Sequence, residues 1–548
     1  MGQQWKRLLI LMIHILLLLG CILMVWFIGR LAGHPGQKGT EAVTESSQEE
    51  SREPDGDDAA AETGKATLSD AEAWNNGENG ENGRGSGWSE AYRKWYWKNR
   101  YPKETAAETE SAAPEEPYVP PVIMMASDTH YMSSTTHDDG EAFWKMVKSD
   151  DGKISQYSDE MMDALCQEAI DTKPAALVLS GDITLNGERE NHEELAKKLR
   201  RVQQAGVPVV VIPGNHDISN KNNAATYFGE KKEKAEYLHS AQDFYDIYHE
   251  FGYDQSPNRD PDSLSYVYPV DATHWLLMLD SCQYEDYNHV NGKIKPETLA
   301  WLEVHLKVAQ ENGIAVLPVA HHNLLSQSRM YTTECTLENH DAVVGLLEQY
   351  QVPLYVSGHL HAQRIKKHKG GPGVPEDAYG ITEIVLGPYS VTSQYGVLAW
   401  DEEDNMSFHT KKADVAAYAA SQGSDNEELL QFGTFSENFT KQVIMDQAGE
   451  EISAIPEYLE DQMKTLYANL YLDYCEGNRM SWDQVDVTKG YKLWLRVSPN
   501  SEYVDRMSQM VEDVQEDLHD WSWENTGPGV GAEQEVTAPS AELQSPAA

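Results

Sequence analysis

The pattern of hydrophobic and polar positions changes near Pro120, where apolar runs of strand length begin to alternate with longer amphipathic stretches. The amphipathic stretches predict helices at about 158–171, 189–205, 296–311 and 339–350. The apolar runs read "VIMMASDTH", "ALVLSGDIT", "VVVIPGNHD", "HWLLMLDS", "IAVLPVAHHN" and "PLYVSGHLH". Strands that alternate with helices in this way predict an α/β domain whose sheet packs between helices.

The remainder of the chain departs from this alternation. The runs "ITEIVLG", "YGVLAW" and "MSFHTK" follow one another without helices between them, so we expect a mixed rather than a purely parallel sheet. The polar and aromatic stretch 218–262 is predicted to be an insertion over one end of the sheet, helical around 234–251. From about 413 to 523 the pattern is mainly helical and predicts a smaller second domain.

An almost wholly apolar run covers residues 8–29 and follows Lys6 and Arg7. About 20 apolar residues suffice to cross a bilayer, whereas the core of a cleaved signal peptide has only about 7–15. We therefore expect an uncleaved signal anchor with its N-terminus inside. A cleaved signal, or a lipid anchor at Cys21, remains an alternative.

The charge of the chain limits its partners. Among 548 residues, Lys and Arg number 43 and Asp and Glu 89, a formal net charge of −46. Because nucleic-acid binding requires a basic surface, no nucleic-acid partner is expected. Residues 34–118 are rich in Glu, Asp, Gly and Ser with few branched apolar residues, which predicts a disordered acidic linker. The oligomeric state is left open.

These observations predict a single-pass protein of a cell membrane whose main domain is extracytoplasmic. Five segments are expected: a signal anchor or transmembrane helix at 1–33, the linker at 34–118, the α/β domain at 119–412, the helical domain at 413–523 and a disordered tail at 524–548.

Metal-capable side chains follow five of the predicted strands: Asp128 and His130, Asp182, Asn215 and His216, His321 and His322, and His359 and His361. In α/β sheets, ligands bind at the carboxyl ends of the strands. Carboxylate and imidazole groups together suit Mn, Fe or Zn better than Ca or Mg. These are more ligands than one ion needs, so two ions sharing an Asp would explain the set.

Each of these motifs alone is weak evidence for a metal site. The prediction depends on the occurrence of all five in one domain. Gly181, Gly214 and Gly358 precede ligands at points where the backbone must turn sharply and approach the site closely. Adjacent residues of a strand point to opposite faces, so only one of His321 and His322 is expected to be a ligand.

The ordered blocks Asp128-Thr129-His130, Gly181-Asp182, Gly214-Asn215-His216-Asp217, His321 and Gly358-His359-Leu360-His361 resemble the calcineurin-like metallophosphoesterase superfamily, whose signature is DxH, GD, GNH(D/E), H and GHxH. The resemblance implies a four-layered α/β/β/α sandwich with a two-metal centre. Within that superfamily, the chain is similar to a bacterial, membrane-anchored branch that resembles cyclic-nucleotide phosphodiesterase-like proteins. One departure is "HHNLL", where many cyclic-nucleotide enzymes have His-His-Pro.

The resemblance also implies roles for the residues. Asp128, His130 and His361 would bind one metal, Asn215, His321 and His359 the other, and Asp182 would bridge them. His216 would act at the scissile phosphate, either by protonating the leaving oxygen or by stabilising the transition state. Asp217 is expected to orient the His216 ring, and His322 to be a supporting group.

The leading hypothesis is hydrolysis of small phosphate monoesters or diesters by water that two metal ions activate. The alternative is a surface-anchored metal-containing binding or scaffold protein without catalysis. Arg329 and Tyr331 lie in a loop beside the predicted metals and are candidates for substrate contact, although a solvated loop is the simpler interpretation.

Overall fold

The computed structural model describes residues 118–369, 380–452 and 455–525. All of them lie in one of the two units into which the chain divides, Arg84–Ala548. Within these residues the strands are β1 (Val122–Ala126), β2 (Ala176–Ser180), β3 (Val209–Ile212), β4 (Ala225–Phe228), β5 (Lys231–Lys234), β6 (Tyr266–Pro269), β7 (His274–Leu279), β8 (Ala315–Ala320), β9 (Leu354–Ser357), β10 (Arg364–Lys367), β11 (Thr382–Val385), β12 (Gln394–Trp400), β13 (Met406–Lys412) and β14 (Asp520–Trp523).

The α-helices of the same described ranges are α1 (Glu141–Ser149), α2 (Ser158–Thr172), α3 (Arg189–Gln204), α4 (Ala241–Tyr248), α5 (Pro296–Asn312), α6 (His340–Gln349), α7 (Tyr389–Thr392), α8 (Val415–Ser421), α9 (Glu427–Leu430), α10 (Phe432–Ile452), α11 (Glu457–Glu476), α12 (Trp482–Val485), α13 (Lys489–Val497) and α14 (Glu502–Asp513). The four predicted helices of the α/β domain correspond to α2, α3, α5 and α6, each within two residues of the predicted bounds.

Two six-stranded mixed sheets form the body of the α/β domain. The first has the order β14-β13-β12-β1-β2-β3, in which β1, β2 and β3 are parallel and the other pairs antiparallel. The second has the order β10-β11-β9-β8-β7-β6, with β11, β9, β8 and β7 parallel. The prediction of a mixed sheet is confirmed for both.

Strand β7 shows how the layers arise from the two-residue period of a strand. Leu276 and Met278 pack with the residues of the first sheet, whereas Trp275, Leu277 and Leu279 pack with helices α5 and α6. Successive side chains of a strand point to opposite faces, so one strand contributes to two cores. With α2 and α3 packed in the core of the first sheet, the domain is the predicted four-layered α/β/β/α sandwich.

Two regions differ from the expectation. The insertion at 218–262 begins with a hairpin of β4 and β5, and its helix α4 is much shorter than the predicted 234–251. The predicted C-terminal region is mainly helical, but it ends in β14, which pairs antiparallel with β13 at the edge of the first sheet. Trp521 and Trp523 of β14 pack against the core. Its backbone pairs with the edge strand β13, whose outer N–H and C=O groups a helix could not have paired.

The predictions for 1–33, for nearly all of 34–118 and for nearly all of 524–548 fall on residues outside the described ranges. Within the ranges that are described, no helix combines the length and the apolarity needed to cross a bilayer. The predicted domain boundaries therefore stay predictions.

Candidate metal centre

The side chains that follow β1, β2, β3, β8 and β9 lie together where the carboxyl ends of the two sheets adjoin. His321 Nδ1 of the second sheet is 3.1 Å from the carbonyl oxygen of Ser180 in the first. A second link between the sheets is the backbone N–H of His359, which donates to Asp128 Oδ2 at 3.0 Å. Residues more than 200 positions apart in the sequence thus form one site.

One set of potential ligand atoms, the first donor group, comprises Asp128, His130, Asp182 and His361, whose ligand atoms all lie within 4.8 Å of one another. The Nε2 atoms of His130 and His361 are 2.9 Å apart. His361 Nε2 is also 3.4 Å from Asp128 Oδ1. Two imidazole nitrogens and two carboxylates therefore converge on one point.

A second donor group comprises Asp182, His321 and His359, again within 4.8 Å of one another. His321 Nε2 lies 3.2 Å from Asp182 Oδ2 and 3.1 Å from the side-chain oxygen of Asn215. Asp182 is thus common to the two groups, and Asn215 adjoins the second. All seven side chains predicted as ligands lie in this one cluster.

The backbone at the site is strained. Asp128, His130, Asp182, His359 and His361 all have positive φ, at 53°, 39°, 46°, 68° and 56°. A non-glycine residue held in this region costs of order 1–3 kcal/mol and persists only where the surroundings determine it. The concentration of five such residues at one point indicates that the fold is stabilised by other contacts to present these side chains.

Two glycines of the motifs allow the loops to approach closely, as predicted. A Cβ at Gly214 would lie 2.1 Å from the backbone nitrogen of Asp182, and a Cβ at Gly358 would lie 1.8 Å from Ser127 Oγ. Any side chain at either position would therefore displace a neighbouring loop that carries an Asp of the site.

The charges of the cluster favour ionised carboxylates beside two cationic imidazoles, His321 and His361, in the metal-free protein. Against the effect of burial, the Asp151 carboxylate raises the pKa of His361 to about 10. Burial alone would raise the pKa of Asp182, but the His321 ring holds it well below its usual range. Burial would lower the pKa of His321, and the Asp182 carboxylate instead raises it to about 9. Burial, together with His321, lowers the pKa of His359 to about 4, so that this imidazole is neutral with a free lone pair.

His216 lies at the open side of the cluster and is partly exposed. Its Nδ1 is 2.8 Å from the carbonyl oxygen of Leu185 and 3.0 Å from the side-chain oxygen of Asn186. Because both of these atoms are acceptors, Nδ1 carries the hydrogen. The other nitrogen, Nε2, is 4.0 Å from Asp182 Oδ2 and faces the donor groups.

The prediction that Asp217 orients the His216 ring is wrong. The Asp217 carboxylate instead accepts hydrogen bonds from the backbone N–H groups of Ile183, Thr184 and Gly214, at 3.1, 2.9 and 2.8 Å. Asp217 therefore ties the loop after β2 to the loop after β3, and the ring of His216 is oriented by Leu185 and Asn186.

His322 is buried behind the cluster rather than directed into it. Its Nδ1 is 2.8 Å from Ser281 Oγ and its Nε2 is 2.9 Å from the carbonyl oxygen of Val290. Its ring packs against the His359 ring, with the centroids 4.5 Å apart. Burial, with His359 and His321, holds the pKa of His322 well below its usual value. Of the two adjacent histidines, His321 thus faces the donor groups and His322 packs behind them, as the strand pattern predicted.

Sequence reasoning missed three residues that support the site. Asn186 contacts His216, and Asp151 Oδ2 lies 2.7 Å from Nδ1 of His361. The buried carboxylate of Glu383 accepts from the backbone N–H groups of Leu324 and Leu325, and so anchors the loop after His322. None of the three lies in a motif, so no local signal could have identified them.

The loop that carries Arg329 also differs from the expectation. Arg329 Nη1 pairs with Asp513 Oδ1 of α14 at 2.7 Å, so the guanidinium group is directed to the C-terminal helices. Tyr331 is 43% exposed. The suggested contact between Arg329 and the substrate is therefore not supported.

The donor set fits the metals that the sequence resemblance implies. The Nε2 atoms of His130 and His361 lie 2.9 Å from each other, with carboxylate oxygens beside them. A cation bound among these atoms would be coordinated by all of them. His130 Nδ1 is buried without a hydrogen-bond partner among the described residues, so the ring is held by the packing of the site. Imidazole and carboxylate ligands together are typical of Mn, Fe and Zn sites.

Comparison with known proteins agrees with this chemistry. Residues 121–363 match the family model described as calcineurin-like phosphoesterase. Residues 414–517 match the model described as the C-terminal domain of cyclic nucleotide phosphodiesterase. No curated protein matches the chain.

Solved structures resemble the chain only distantly. A dimetal phosphatase from Danio rerio is 14% identical, with 54% of this chain and 97% of that chain covered, at a TM-score of 0.40. A purple acid phosphatase from yellow lupin (Lupinus luteus) seeds is 13% identical, with 54% of this chain and 51% of that chain covered, at a TM-score of 0.36.

The four-layered fold and the clustered carboxylate and imidazole groups define a metal-dependent phosphoesterase. The match of residues 121–363 to the calcineurin-like phosphoesterase model confirms the resemblance carried by the five sequence blocks.

Proposed function

We propose that this enzyme hydrolyses phosphate diesters or monoesters of small molecules at a dinuclear metal centre. The observation that carries the proposal is the pair of donor groups that share Asp182 and lie beside the partly exposed His216. A shared carboxylate with imidazoles on either side is the arrangement that holds two cations close together.

In this proposal Asp128, His130 and His361 would hold one metal ion, Asn215, His321 and His359 would hold the other, and Asp182 would serve both. The Nε2 atom of His359 is 3.1 Å from the carbonyl oxygen of Glu334, which leaves its Nδ1 for the metal. When bound, two such ions supply positive charge that polarises the phosphoryl group and activates water. The ions are Mn, Fe or Zn on the chemistry of the ligands.

His216 acts on the leaving group in this proposal. The carbonyl oxygen of Leu185 fixes the hydrogen on its Nδ1, so a proton on Nε2 is directed to the site and can be given to the departing oxygen. The partly exposed ring lies where a substrate can reach it from solvent. The buried imidazoles of the cluster lack this access.

The cellular setting is also part of the proposal. The apolar run at 8–29 and the acidic chain that follows it support a single-pass anchor with the phosphoesterase domain outside a bacterial cell membrane. The net charge of −46 favours small phosphoesters over polyanionic partners such as nucleic acid.

The test is a substrate panel on the full chain, purified in detergent and loaded with Mn, Fe or Zn. The panel contains aryl monoesters and diesters, cyclic nucleotides, nucleotide sugars and glycerophosphodiesters. We expect metal-dependent hydrolysis of at least one small ester and no preference for nucleic acid. Metal binding without hydrolysis of any member would overturn the proposal and favour the scaffold alternative.

A further inference from the structure

A short loop between α1 and α2, residues 150–153, connects the candidate metal centre to the C-terminal helices. On one side, Asp151 Oδ2 is 2.7 Å from Nδ1 of His361, a member of the first donor group. Its other oxygen, Oδ1, accepts from the buried Lys153 ammonium at 2.6 Å. Each carboxylate oxygen of Asp151 therefore has its own partner, which fixes the orientation of the group.

On its other side, the 150–153 loop is held by side chains of the C-terminal helices. Three successive carbonyl oxygens accept hydrogen bonds: that of Asp150 from Gln447 at 2.7 Å, that of Asp151 from Tyr471 at 3.0 Å and that of Gly152 from Thr440 at 3.0 Å. Gln447 and Thr440 lie on α10, and Tyr471 on α11.

The fit at Gly152 is close. Gly152 has a φ of 91°, and a Cβ there would lie 2.7 Å from Cγ2 of the fully buried Thr440. Left-handed backbone of this kind favours glycine. The loop thus approaches helix α10 as closely as a backbone without a side chain allows, which leaves it little freedom to move.

The C-terminal helices also contact the ligand segment itself. Leu360, between His359 and His361, and Ala362 are buried in a cluster with Met463, Tyr471 and other residues of the C-terminal helices. The side chains of 359–362 therefore alternate between the metal centre and the core of the C-terminal helices. Both the backbone of His361 and its imidazole ring are linked to this region.

We propose that the C-terminal helices position a metal ligand of the site: Gln447, Tyr471 and Thr440 fix the 150–153 loop so that Asp151 holds the His361 ring. The inference rests on the proposed function, because it requires His361 to bind a metal. By accepting the Nδ1 hydrogen of His361, Asp151 leaves the Nε2 lone pair directed at the first donor group. Removal of such a partner typically weakens metal binding about 10–100-fold.

The first experiment compares Asp151→Asn with Asp150→Asn in the full chain, freed of metal by chelation and titrated with Mn²⁺ in a calorimeter. Both carboxylates contact Lys153 and both are partly buried, but only Asp151 contacts His361. We expect Asp151→Asn to weaken one of two Mn²⁺ affinities by about 10–100-fold. Asp150→Asn keeps the side-chain oxygen that accepts from the backbone N–H of Asp151, and it should leave both affinities unchanged.

The second experiment tests the link to the C-terminal helices with Tyr471→Phe against Tyr474→Phe. Both tyrosines lie on α11, and the Tyr474 hydroxyl donates to Ser328 rather than to the 150–153 loop. We expect Tyr471→Phe to weaken the Mn²⁺ affinity that Asp151→Asn weakens, by up to about 5-fold, the effect of one hydrogen bond. Tyr474→Phe should leave that affinity unchanged.

Equal effects of Asp151→Asn and Asp150→Asn, or normal Mn²⁺ binding by either Asp151→Asn or Tyr471→Phe, would overturn the inference. If Asp151→Asn does not fold, the tyrosine pair decides the outcome. A wild-type chain that binds two Mn²⁺ ions without hydrolysing any ester would overturn the proposed function alone. The positioning of His361 would still be measured by the metal affinities.

Discussion

The two donor groups of the metal centre are held by different means. In the second donor group, His321 Nδ1 faces the carbonyl oxygen of Ser180 and His359 Nε2 faces that of Glu334, both at 3.1 Å. In the first, His361 Nδ1 faces the carboxylate of Asp151, whose loop is held by the C-terminal helices. Both rings of the second donor group are thus oriented by backbone carbonyls, whereas in the first the His361 ring depends on a loop that the C-terminal helices hold.

This difference has a physical consequence. A backbone carbonyl, such as that of Ser180 at the end of β2 or that of Glu334 in a loop, orients a ring without adding a full charge. A carboxylate adds negative charge and makes the imidazole a better ligand, but it must itself be held in place. We therefore expect the affinity of the first donor group to depend on the C-terminal helices more strongly than that of the second.

The largest effect is expected for Asp182→Ala, which removes the residue common to the two donor groups. Both Mn²⁺ affinities should fall together. The rate of hydrolysis should drop by more than about 10³-fold, which exceeds the usual effect of removing one group that stabilises the transition state. Calorimetry and hydrolysis of an aryl phosphodiester measure the two quantities. Full activity in this variant would contradict the two-metal proposal and, with it, the distinction between the two donor groups.

A variant that affects neither donor group is His216→Ala. We expect both Mn²⁺ affinities to be kept, because the ring is proposed to act on the leaving oxygen and not on a metal. The rate should fall by about 10²–10⁴-fold, the usual contribution of a general acid. The loss should be smaller for an aryl ester with a good leaving group than for an alkyl ester, and equal losses for both would contradict the assignment.

Asp217→Asn tests whether the loops after β2 and β3 act on the two donor groups jointly. The amide of Asn would face backbone N–H donors that now bind a carboxylate, at a cost of about 1–3 kcal/mol in the free energy of unfolding. Urea denaturation of the metal-free chain measures this. Because Asp182 serves both groups, the two affinities should change in parallel, and a change in only one would count against a shared role.

The smallest effect is expected for Arg329→Ala. The guanidinium group pairs with Asp513 of α14, but its side chain is 55% exposed. Exposed ion pairs contribute about 0–1 kcal/mol. Stability should change by no more than this, and hydrolysis should be unaltered. A large increase in KM for an ester would instead support Arg329 as a substrate contact. In that case the ion pair with α14 would also affect substrate binding.

Much of the site could be predicted because its signals are local. His130, Asp182 and His359 each follow an apolar run within a few residues, and parallel strands bring such ends to one edge. Gly214 and Gly358 stand where the loops come into contact. The partner of Asp217 could not be predicted, because the adjacent His216 is nearer in sequence than the amides of Ile183 and Thr184 that the carboxylate binds.

The amino-acid sequence by itself determined the strands that carry the site, the main helices of the α/β domain and the set of side chains at the strand ends, since these depend on period and on neighbouring residues. The tertiary structure alone decided which groups support that set. Asp151 and His361 are 210 residues apart, and β14 adds to its sheet more than 100 residues after β13. No local period encodes such pairs, because their free energy arises only when distant segments pack together.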